Sequence, residues 1–224
     1  MTDSLPPGRD WPAFIRANTR LLTPPLVPEI RLHLAEESLP IWSKTEEELG
    51  EMSVPPPYWA FAWAGGQALA RHLLDHPHLV ACKQVLDLGA GSGLTAIAAM
   101  KAGAQSVLAA DIDAVALVAC VLNGEANACA ISTTADDLLA AAPDAQFSVL
   151  LVGDLFYERE LADRVLAFIS TAAGRGARVL IGDPGRSYFP RNRFKKLAEH
   201  RVPVTRELED AEIKNTAVWE LVAS

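Results

Sequence analysis

Between residues 84 and 183, short apolar runs alternate with alanine-rich segments, and this alternation constrains the fold more than any other feature of the chain. Short apolar runs are typical of buried strands, whereas apolar residues spaced three or four apart indicate helices. Strands that alternate with helices form a parallel sheet with helices on both faces. We therefore predict a doubly wound α/β fold with five such strands, at 84–89, 106–113, 130–135, 148–154 and 178–184.

The two ends of the chain depart from this alternation. Residues 202–209 and 216–222 are predicted strands with a short acidic connector, which indicates an antiparallel C-terminal hairpin at one edge of a seven-stranded, mostly parallel, Rossmann-like sheet. Residues 1–57 hold ten of the fifteen prolines, so we predict an N-terminal arm or lid of helical and extended segments. The main domain, 58–224, then begins with a helix predicted over 58–76.

Composition excludes several classes of protein. Half of the 224 residues are hydrophobic, which is enough for the core of one domain. A net charge of −8 argues against binding nucleic acid through its phosphates. The three cysteines lack CxxC spacing, which indicates a reducing compartment with neither a zinc site nor disulfides. Since no targeting pattern or membrane span is evident, we expect a cytoplasmic protein.

A glycine-rich loop follows the first predicted strand. In VLDLGAGSGL, Gly89 and Gly91 precede a helix, and the absence of a Cβ atom lets the backbone turn tightly and approach a ligand. The spacing lacks the last glycine of the GxGxxG dinucleotide fingerprint, which disfavours a nicotinamide-dependent oxidoreductase. The loop alone leaves open a tight turn that binds no ligand.

Acidic residues after the first three strands favour S-adenosylmethionine as the ligand. Asp111 follows the glycine loop by about 20 residues, where a carboxylate accepts hydrogen bonds from ribose hydroxyls. Asp87 would add negative potential near the sulfonium-bearing tail. Either Asp136 or Asp137 would receive the adenine amino group, or both are solvated loop carboxylates. Trp59 either covers the cofactor or packs in the core.

The fourth strand ends in GDLFYERE, beyond which a doubly wound sheet binds its ligands. We expect Asp154 and Tyr157 to orient an incoming nitrogen beside the methyl donor, with Phe156 and Tyr157 as walls around an aliphatic stem. A lysine with an ordinary pKa near ~10.4 must lose its proton before it attacks. The alternative is that Asp154 caps the next helix. The fifth strand ends in a turn whose Arg186 would pair with an acidic neighbour or with substrate backbone.

Five motifs together resemble the electron transfer flavoprotein β-subunit lysine methyltransferases, which are seven-β-strand, S-adenosylmethionine-dependent protein methyltransferases. The motifs are PPYWAFAWAGGQALARHLLDHP, VLDLGAGSGLTAIAA, AADIDAVA, GDLFYERELAD and RVLIGDPGR, and the resemblance covers residues 55–224. It implies that 58–224 form the methyltransferase domain. It also implies a DxxY pair that acts on the substrate lysine, formed by Asp154 and Tyr157. The residues that it implies for the methyl donor are Asp87, Gly89, Gly91 and Asp111, with Trp59 nearby.

The resemblance further implies a protein-lysine N-methyltransferase that modifies the β subunit of electron transfer flavoprotein. We expect a bacterial, cytoplasmic relative of mitochondrial animal enzymes, a monomer that binds neither nucleic acid nor membranes. Three alternatives stay open at this point. The acceptor would be another protein, such as a ribosomal protein, or a small-molecule amine, or the chain would be a catalytically silent binding module.

Overall fold

The computed structural model describes residues 10–36, 56–144, 146–204 and 212–222. The rest of the predicted arm, residues 205–209 of the predicted hairpin strand and residues 210 and 211 of its connector lie outside these ranges. In chain order, the helices and strands are α1 (Trp11–Asn18), β1 (Arg20–Leu22), β2 (Leu32–Leu34), α2 (Ala64–Asp75), β3 (Gln84–Leu88), α3 (Leu94–Lys101), β4 (Ser106–Ala110), α4 (Ala114–Ala126), β5 (Ser132–Thr134), β6 (Val149–Gly153), α5 (Arg159–Gly174), β7 (Arg178–Asp183), β8 (Phe194–Pro203) and β9 (Ile213–Leu221).

Seven strands form the main sheet in the order β5-β4-β3-β6-β7-β9-β8. The first five strands of that order pair in parallel, and β9 runs antiparallel to both β7 and β8. The predicted doubly wound sheet and its antiparallel edge hairpin are therefore confirmed. The strand order reverses between β3 and β6, and ligands of such sheets bind beyond the carboxyl ends of the strands at this reversal.

The first strand of the C-terminal hairpin is longer than predicted. β8 begins at Phe194 instead of residue 202, and residues 205–209 of the predicted strand lie outside the described ranges. The prediction of its start was wrong because the segment carries charged residues at exposed positions. Charges are common on edge strands, where they deter pairing with other chains, and they weaken the apolar pattern of a strand.

The first helix of the main domain begins later than predicted. Tyr58–Ala60 form a single 3₁₀ turn, and α2 begins only at Ala64. The indole Nε1 of Trp63 donates a hydrogen bond to the carbonyl oxygen of Tyr58 at 2.9 Å, which closes the connection between the turn and the helix. The predicted start at residue 58 is therefore wrong, because this aromatic segment forms a turn rather than the first turns of α2.

The described part of the N-terminal segment packs on the main sheet domain. Trp11 and Ile15 of α1 are buried against α4. The antiparallel β1–β2 pair contributes Leu32 to the core that α2 and α3 cover. Asn123 of α4 accepts a hydrogen bond from the backbone N–H of His33 at 2.7 Å. The predicted domain boundary at residue 57 stays a prediction, since residues 37–55 lie outside the described ranges.

The sheet has a hydrophobic core on each face. Consecutive residues of a strand point to opposite faces, so a strand covered on both sides is apolar throughout. In β6, Leu151 belongs to the core shared with α2 and α3, whereas Leu150 and Val152 belong to the core shared with α5. This explains why β6 lacks the alternation of polar and apolar residues that marks a strand with one exposed face.

Helix α2 lies in direct backbone contact with β7 at two glycines. A Cβ atom on Gly182 would lie 2.0 Å from the carbonyl oxygen of Gly65, and one on Gly65 would lie 2.4 Å from that of Gly182. Real Cβ atoms do not approach backbone this closely, so both positions require glycine. The contact brings the N-terminus of α2 to the carboxyl ends of β6 and β7.

We predict that Gly182→Ala lowers the free energy of unfolding by at least about 1–3 kcal/mol, because a methyl group there forces α2 away from the sheet. Gly66→Ala is the matched control, since its Cβ would meet only Leu94 Cδ2 at 3.7 Å and alanine favours the helix by up to about 1 kcal/mol. Urea denaturation of both variants measures the difference. Equal stabilities would contradict the requirement for glycine at position 182.

Asp87 of β3 is a buried carboxylate beneath the glycine loop. Its side chain is almost fully buried, and the hydroxyl Oγ1 of Thr95 in α3 lies 2.6 Å from both carboxylate oxygens. Burial raises the pKa of Asp87 from the ordinary 3.8 to about 7, although the hydrogen bond from Thr95 opposes this shift. The folded protein therefore favours the protonated form of this group over a wide range of pH.

We predict that Asp87→Asn stabilises the protein at high pH relative to low pH. An acid whose pKa is higher in the folded state contributes stability below its unfolded pKa and loses it as the pH rises through the folded pKa. The free energy of unfolding of the wild type should thus decline relative to the variant between about pH 4 and about pH 7. Urea denaturation across this range measures it, with the exposed Asp163→Asn as control. A constant difference between wild type and Asp87→Asn would contradict the buried ionisation.

Candidate active site

A cavity of about 550 Å³ opens where β3, β4 and β6 end. Its position is the edge at which the strand order reverses, as expected for a doubly wound sheet. Its volume is in the range of small-molecule sites. The lining residues that the following paragraphs use are Tyr58, Trp59, Trp63, Gly89, Gly91, Asp111, Ile112, Asp113, Asp136, Asp137, Asp154, Tyr157, Arg164 and Arg186.

The glycine loop forms the floor of this cavity with its backbone. Gly89 and Gly91 have φ angles of 66° and 50°, in the left-handed region that favours glycine. A Cβ atom on Gly89 would lie 2.7 Å from the side chain of Leu155, whereas one on Gly91 would project into nearly open space, 3.9 Å from the nearest atom. At Gly91 the loop therefore leaves room for a ligand to lie against the backbone, whereas at Gly89 the space is occupied by Leu155. The contact of both glycines with the methyl donor stays a prediction.

Asp111 lies at the end of β4 and holds the loop in place. One carboxylate oxygen accepts a hydrogen bond from Gly91 N at 2.9 Å, and the other accepts one from Asp113 N at 3.0 Å. Burial raises the pKa of Asp111. Asp113 also lines the cavity, and it caps α4 by accepting a hydrogen bond from Val115 N. It was not predicted from the sequence as a candidate site residue. The repeated aspartate in DID was the signal that could have found it.

Asp136 and Asp137 both line the cavity, but their carboxylates are engaged differently. Asp137 accepts a hydrogen bond from Leu139 N at 3.1 Å with one oxygen and pairs with Arg164 at 2.6 Å through the other. Asp136 uses one oxygen, Oδ2, which accepts a hydrogen bond from the Thr134 hydroxyl at 2.7 Å. The geometry thus leaves Asp136 better able than Asp137 to accept a hydrogen bond from a ligand.

Trp59 and Asp87 end up on different sides of the glycine loop. Trp59 packs in the core cluster of α1 and α4, and it also lines the cavity. Its contact with a cofactor stays a prediction. Its indole Nε1 is buried and has no hydrogen-bond acceptor. Asp87 lies behind the loop against Thr95 and is not among the cavity-lining residues. Its contact with a cofactor stays a prediction, which the geometry does not support directly.

Asp154 follows β6 with a left-handed backbone (φ 64°), which is uncommon for a residue other than glycine and marks a strained turn. Its carboxylate is buried. One oxygen accepts a hydrogen bond from Gly65 N at 2.9 Å, and the other pairs with Nε of Arg186. The alternative that Asp154 caps the next helix is wrong, since α5 begins at Arg159 and Asp154 instead binds the N-terminus of α2.

The two aromatic residues of the GDLFYERE motif point in different directions. Tyr157 lines the cavity and is about half exposed. Partial burial is the largest cause that raises the pKa of its phenol, and the nearby Tyr58 is the second. Phe156 is fully buried and packs edge-on against Phe189, with ring centroids 5.1 Å apart. The expectation that Phe156 forms a wall of the site is therefore wrong, because the turn at Asp154 directs it into the core beneath α5.

The residues of this cavity fit S-adenosylmethionine. The glycine loop offers bare backbone, Asp111 offers carboxylate oxygens to hydroxyl groups, and Trp59 contributes to the apolar lining. Asp154, Tyr157 and Arg186 line the same cavity. The arrangement can therefore hold a nucleoside-bearing ligand and receive a second molecule beside these residues.

Comparisons with known proteins agree with this arrangement. A family model for the ribosomal protein L11 methyltransferase (PrmA) matches residues 69–169. The chain is 38% identical to the electron transfer flavoprotein beta subunit lysine methyltransferase of Danio rerio, over 92% of this chain and 81% of the relative. It is 37% identical to the Mus musculus protein of the same name, over 93% of this chain and 83% of the relative.

A solved structure with the same fold is the magnesium protoporphyrin IX methyltransferase of Synechocystis PCC 6803 with bound S-adenosylmethionine. It covers 83% of this chain and 88% of its own, with a TM-score of 0.51 and 15% identity. At this identity the likeness shows the fold alone. The two animal relatives, in contrast, match 92% and 93% of this chain, far more than the residues 69–169 that the family model matches. The chain therefore belongs to the family of electron transfer flavoprotein β-subunit lysine methyltransferases.

Proposed function

We propose that this chain is an S-adenosylmethionine-dependent protein-lysine N-methyltransferase whose substrate is the β subunit of an electron transfer flavoprotein. The observation that carries the proposal is the shared cavity. Asp111 and the glycine loop line it together with Asp154 and Tyr157 of the DxxY motif. The family of the chain supports both the methyl donor and the acceptor protein.

The methyl donor would be held by residues from three strand ends. The backbone at Gly89 and Gly91 would lie against it, and Asp111 would accept hydrogen bonds from its ribose. Asp136 would receive the adenine amino group, and Trp59 would pack against the donor. When bound, S-adenosylmethionine supplies an electrophilic methyl group: as the lysine nitrogen forms the N–C bond, the S–C bond breaks, and the sulfur keeps the electron pair in S-adenosylhomocysteine.

The residues opposite the glycine loop would receive the lysine. The ring of Tyr157 would pack along the aliphatic stem, and its hydroxyl would orient the nitrogen. Removal of the lysine from water as it packs against these rings favours the neutral amine over the ammonium ion, because burial penalises charge. Asp154, with its carboxylate held by Gly65 and Arg186, acts as an orienting group rather than as a strong base. Catalysis then depends mainly on positioning and desolvation.

The entrance of the cavity favours a protein substrate over a small amine. Three lining residues expose large apolar surface, with 57% of Tyr58, 67% of Ile112 and 53% of Tyr157 accessible. Such an open rim suits contact with a protein surface. The match to the ribosomal protein L11 methyltransferase model ends at residue 169, before β7 and Arg186, so it does not extend to the whole lysine-facing side.

The compartment and the oligomeric state remain expectations. Across the described residues, none of the helices is both long and apolar enough to cross a membrane. The thiols of Cys82, Cys120 and Cys129 are free. Location in the cytoplasm stays our prediction. A monomer without nucleic-acid or membrane partners stays our prediction.

We predict that the pure protein transfers label from S-adenosylmethionine to lysines of a purified electron transfer flavoprotein β subunit. Scintillation counting and mass spectrometry of the product measure the transfer and locate the modified side chains. Label that appears only on ribosomal proteins or only on small molecules would contradict this acceptor.

The variant Tyr157→Ala should lose more transfer activity than Tyr157→Phe, since the phenyl ring keeps the wall of the site, while both should still bind the donor.

We predict that Asp111→Asn and Asp136→Asn weaken the binding of S-adenosylmethionine, the first by about tenfold or more because it removes a charged acceptor. Asp137→Asn is the control matched to Asp136→Asn and should bind within about twofold of the wild type, because the charge of Asp137 is held in an ion pair with Arg164. Asp111 differs from Asp137 in that its two hydrogen bonds come from uncharged backbone N–H groups. Isothermal titration calorimetry measures the affinities. Weaker binding in Asp137→Asn than in Asp136→Asn would reverse the assignment of the adenine contact.

A further inference from the structure

Arg186 lines the cavity and pairs with the carboxylate of Asp154. The pair is largely withdrawn from solvent, since only 21% of the Arg186 side chain and 5% of the Asp154 side chain are exposed. The second carboxylate oxygen of Asp154 accepts a hydrogen bond from Gly65 N at 2.9 Å. Each oxygen of this carboxylate is therefore already engaged with the protein at the place where a lysine nitrogen would arrive.

The turn after β7 holds Arg186 in this position. Asp183, the last residue of β7, accepts hydrogen bonds from Gly185 N at 2.6 Å and from Arg186 N at 2.9 Å through the same oxygen. The guanidinium of Arg186 also lies over the ring of Trp63, 5.9 Å from its centroid. Both the backbone and the side chain of Arg186 are thus fixed, as a residue that must place a charge requires.

We propose that Arg186 is a positioning residue for methyl transfer, which balances the charge of Asp154 so that the substrate lysine is bound as the neutral amine instead of being retained as ammonium. This inference rests on the proposed function. An unpaired carboxylate beside a lysine stabilises the ammonium form, which has no lone pair with which to attack. A carboxylate that is paired with a guanidinium still orients the nitrogen but holds its proton less strongly. The proton that the lysine loses passes to solvent before the transfer.

Arg186 is the cation that forms an ion pair with Asp154, and several other charged groups lie around this pair. The titratable neighbours of Asp154 after β6 are Tyr157 and Glu158, and β7 contributes Asp183. Asp111, after β4, and Tyr58, in the turn before α2, also act on this end of the cavity. Two further cations lie near it: Arg159, whose guanidinium is 5.0 Å from the ring centroid of Tyr188, and Arg191, whose Nη2 would lie 2.8 Å from a Cβ atom on Gly185. The N-terminus of α2 contributes the N–H of Gly65 and no charged side chain.

The other cavity-lining arginine, Arg164, is paired with Asp137 at 2.6 Å. Removal of the charge at Arg186 therefore breaks the ion pair of Asp154 and makes the charge at this end of the cavity more negative by one unit. The proposal predicts a change in the protonation of the substrate, which a purely structural link between β6 and β7 would not produce. The dependence of kcat on pH separates the two roles.

The experiment compares the kcat–pH profiles of the full chain and three variants, with a purified electron transfer flavoprotein as acceptor and saturating S-adenosylmethionine. In Arg186→Gln the apparent pKa of the rising limb should increase by about one unit, which lowers kcat at neutral pH about tenfold while activity recovers at alkaline pH. Arg186→Lys keeps the charge and should keep the wild-type pKa. Asp154→Asn leaves Arg186 unbalanced, so its rising limb should move to lower pH.

Opposite shifts in Arg186→Gln and Asp154→Asn support the proposal, and they hold their meaning even if both variants are slower at every pH. Donor affinity and urea denaturation of each variant show whether it is folded, and Asp154→Asn with Arg186→Lys carries the test if Arg186→Gln is not. An unchanged apparent pKa in the folded variants, with reduced kcat, overturns the proposal and leaves the proposed function intact. A wild-type protein that methylates no lysine on any acceptor overturns both, whereas activity on a different protein overturns only the identity of the substrate.

Discussion

The carboxylate of Asp154 joins three segments that are far apart in the sequence, and the geometry of the side of the cavity proposed to receive the lysine depends on this connection. It binds the N-terminus of α2 through Gly65 N and the turn after β7 through Arg186, while its own backbone ends β6. The contact is possible because Gly65 and Gly182 have no side chains, so that α2 touches the sheet there. A buried carboxylate at a helix N-terminus is favoured by the helix dipole as well as by its hydrogen bonds.

The cavity divides into two chemically distinct sides. The side formed by the ends of β3, β4 and β5 carries bare glycine backbone and several carboxylates, which suits a ligand rich in hydroxyl and amino groups. The side formed by the ends of β6 and β7 carries aromatic rings and a paired charge. A sulfonium donor and a lysine acceptor are both cationic before reaction. A site that brings them together needs acidic groups, yet must not hold the lysine proton too strongly.

Much of this was predictable from local patterns. Five apolar runs separated by helical segments predicted the parallel sheet, and the position of Asp111 after the second run predicted its place at the edge where the cavity lies, since strand ends meet there. Other features were not predictable, because they depend on where a side chain points. The left-handed backbone of Asp154 directs Phe156 into the core, and Asp87 lies behind the glycine loop. Neither direction is written in the spacing of the residues.

Sequence alone determined the class of fold, the glycine loop, the acidic residues at the strand ends and the resemblance of the chain to its family. These features follow from periodicity and from residue types whose chemistry is local. The tertiary structure decided the partners: Arg186 with Asp154, Arg164 with Asp137, and Trp59 between the core and the cavity. Such pairs form between residues that packing alone brings together, because the contact between Gly65 and Gly182 and the parallel register of β6 and β7 set the distances.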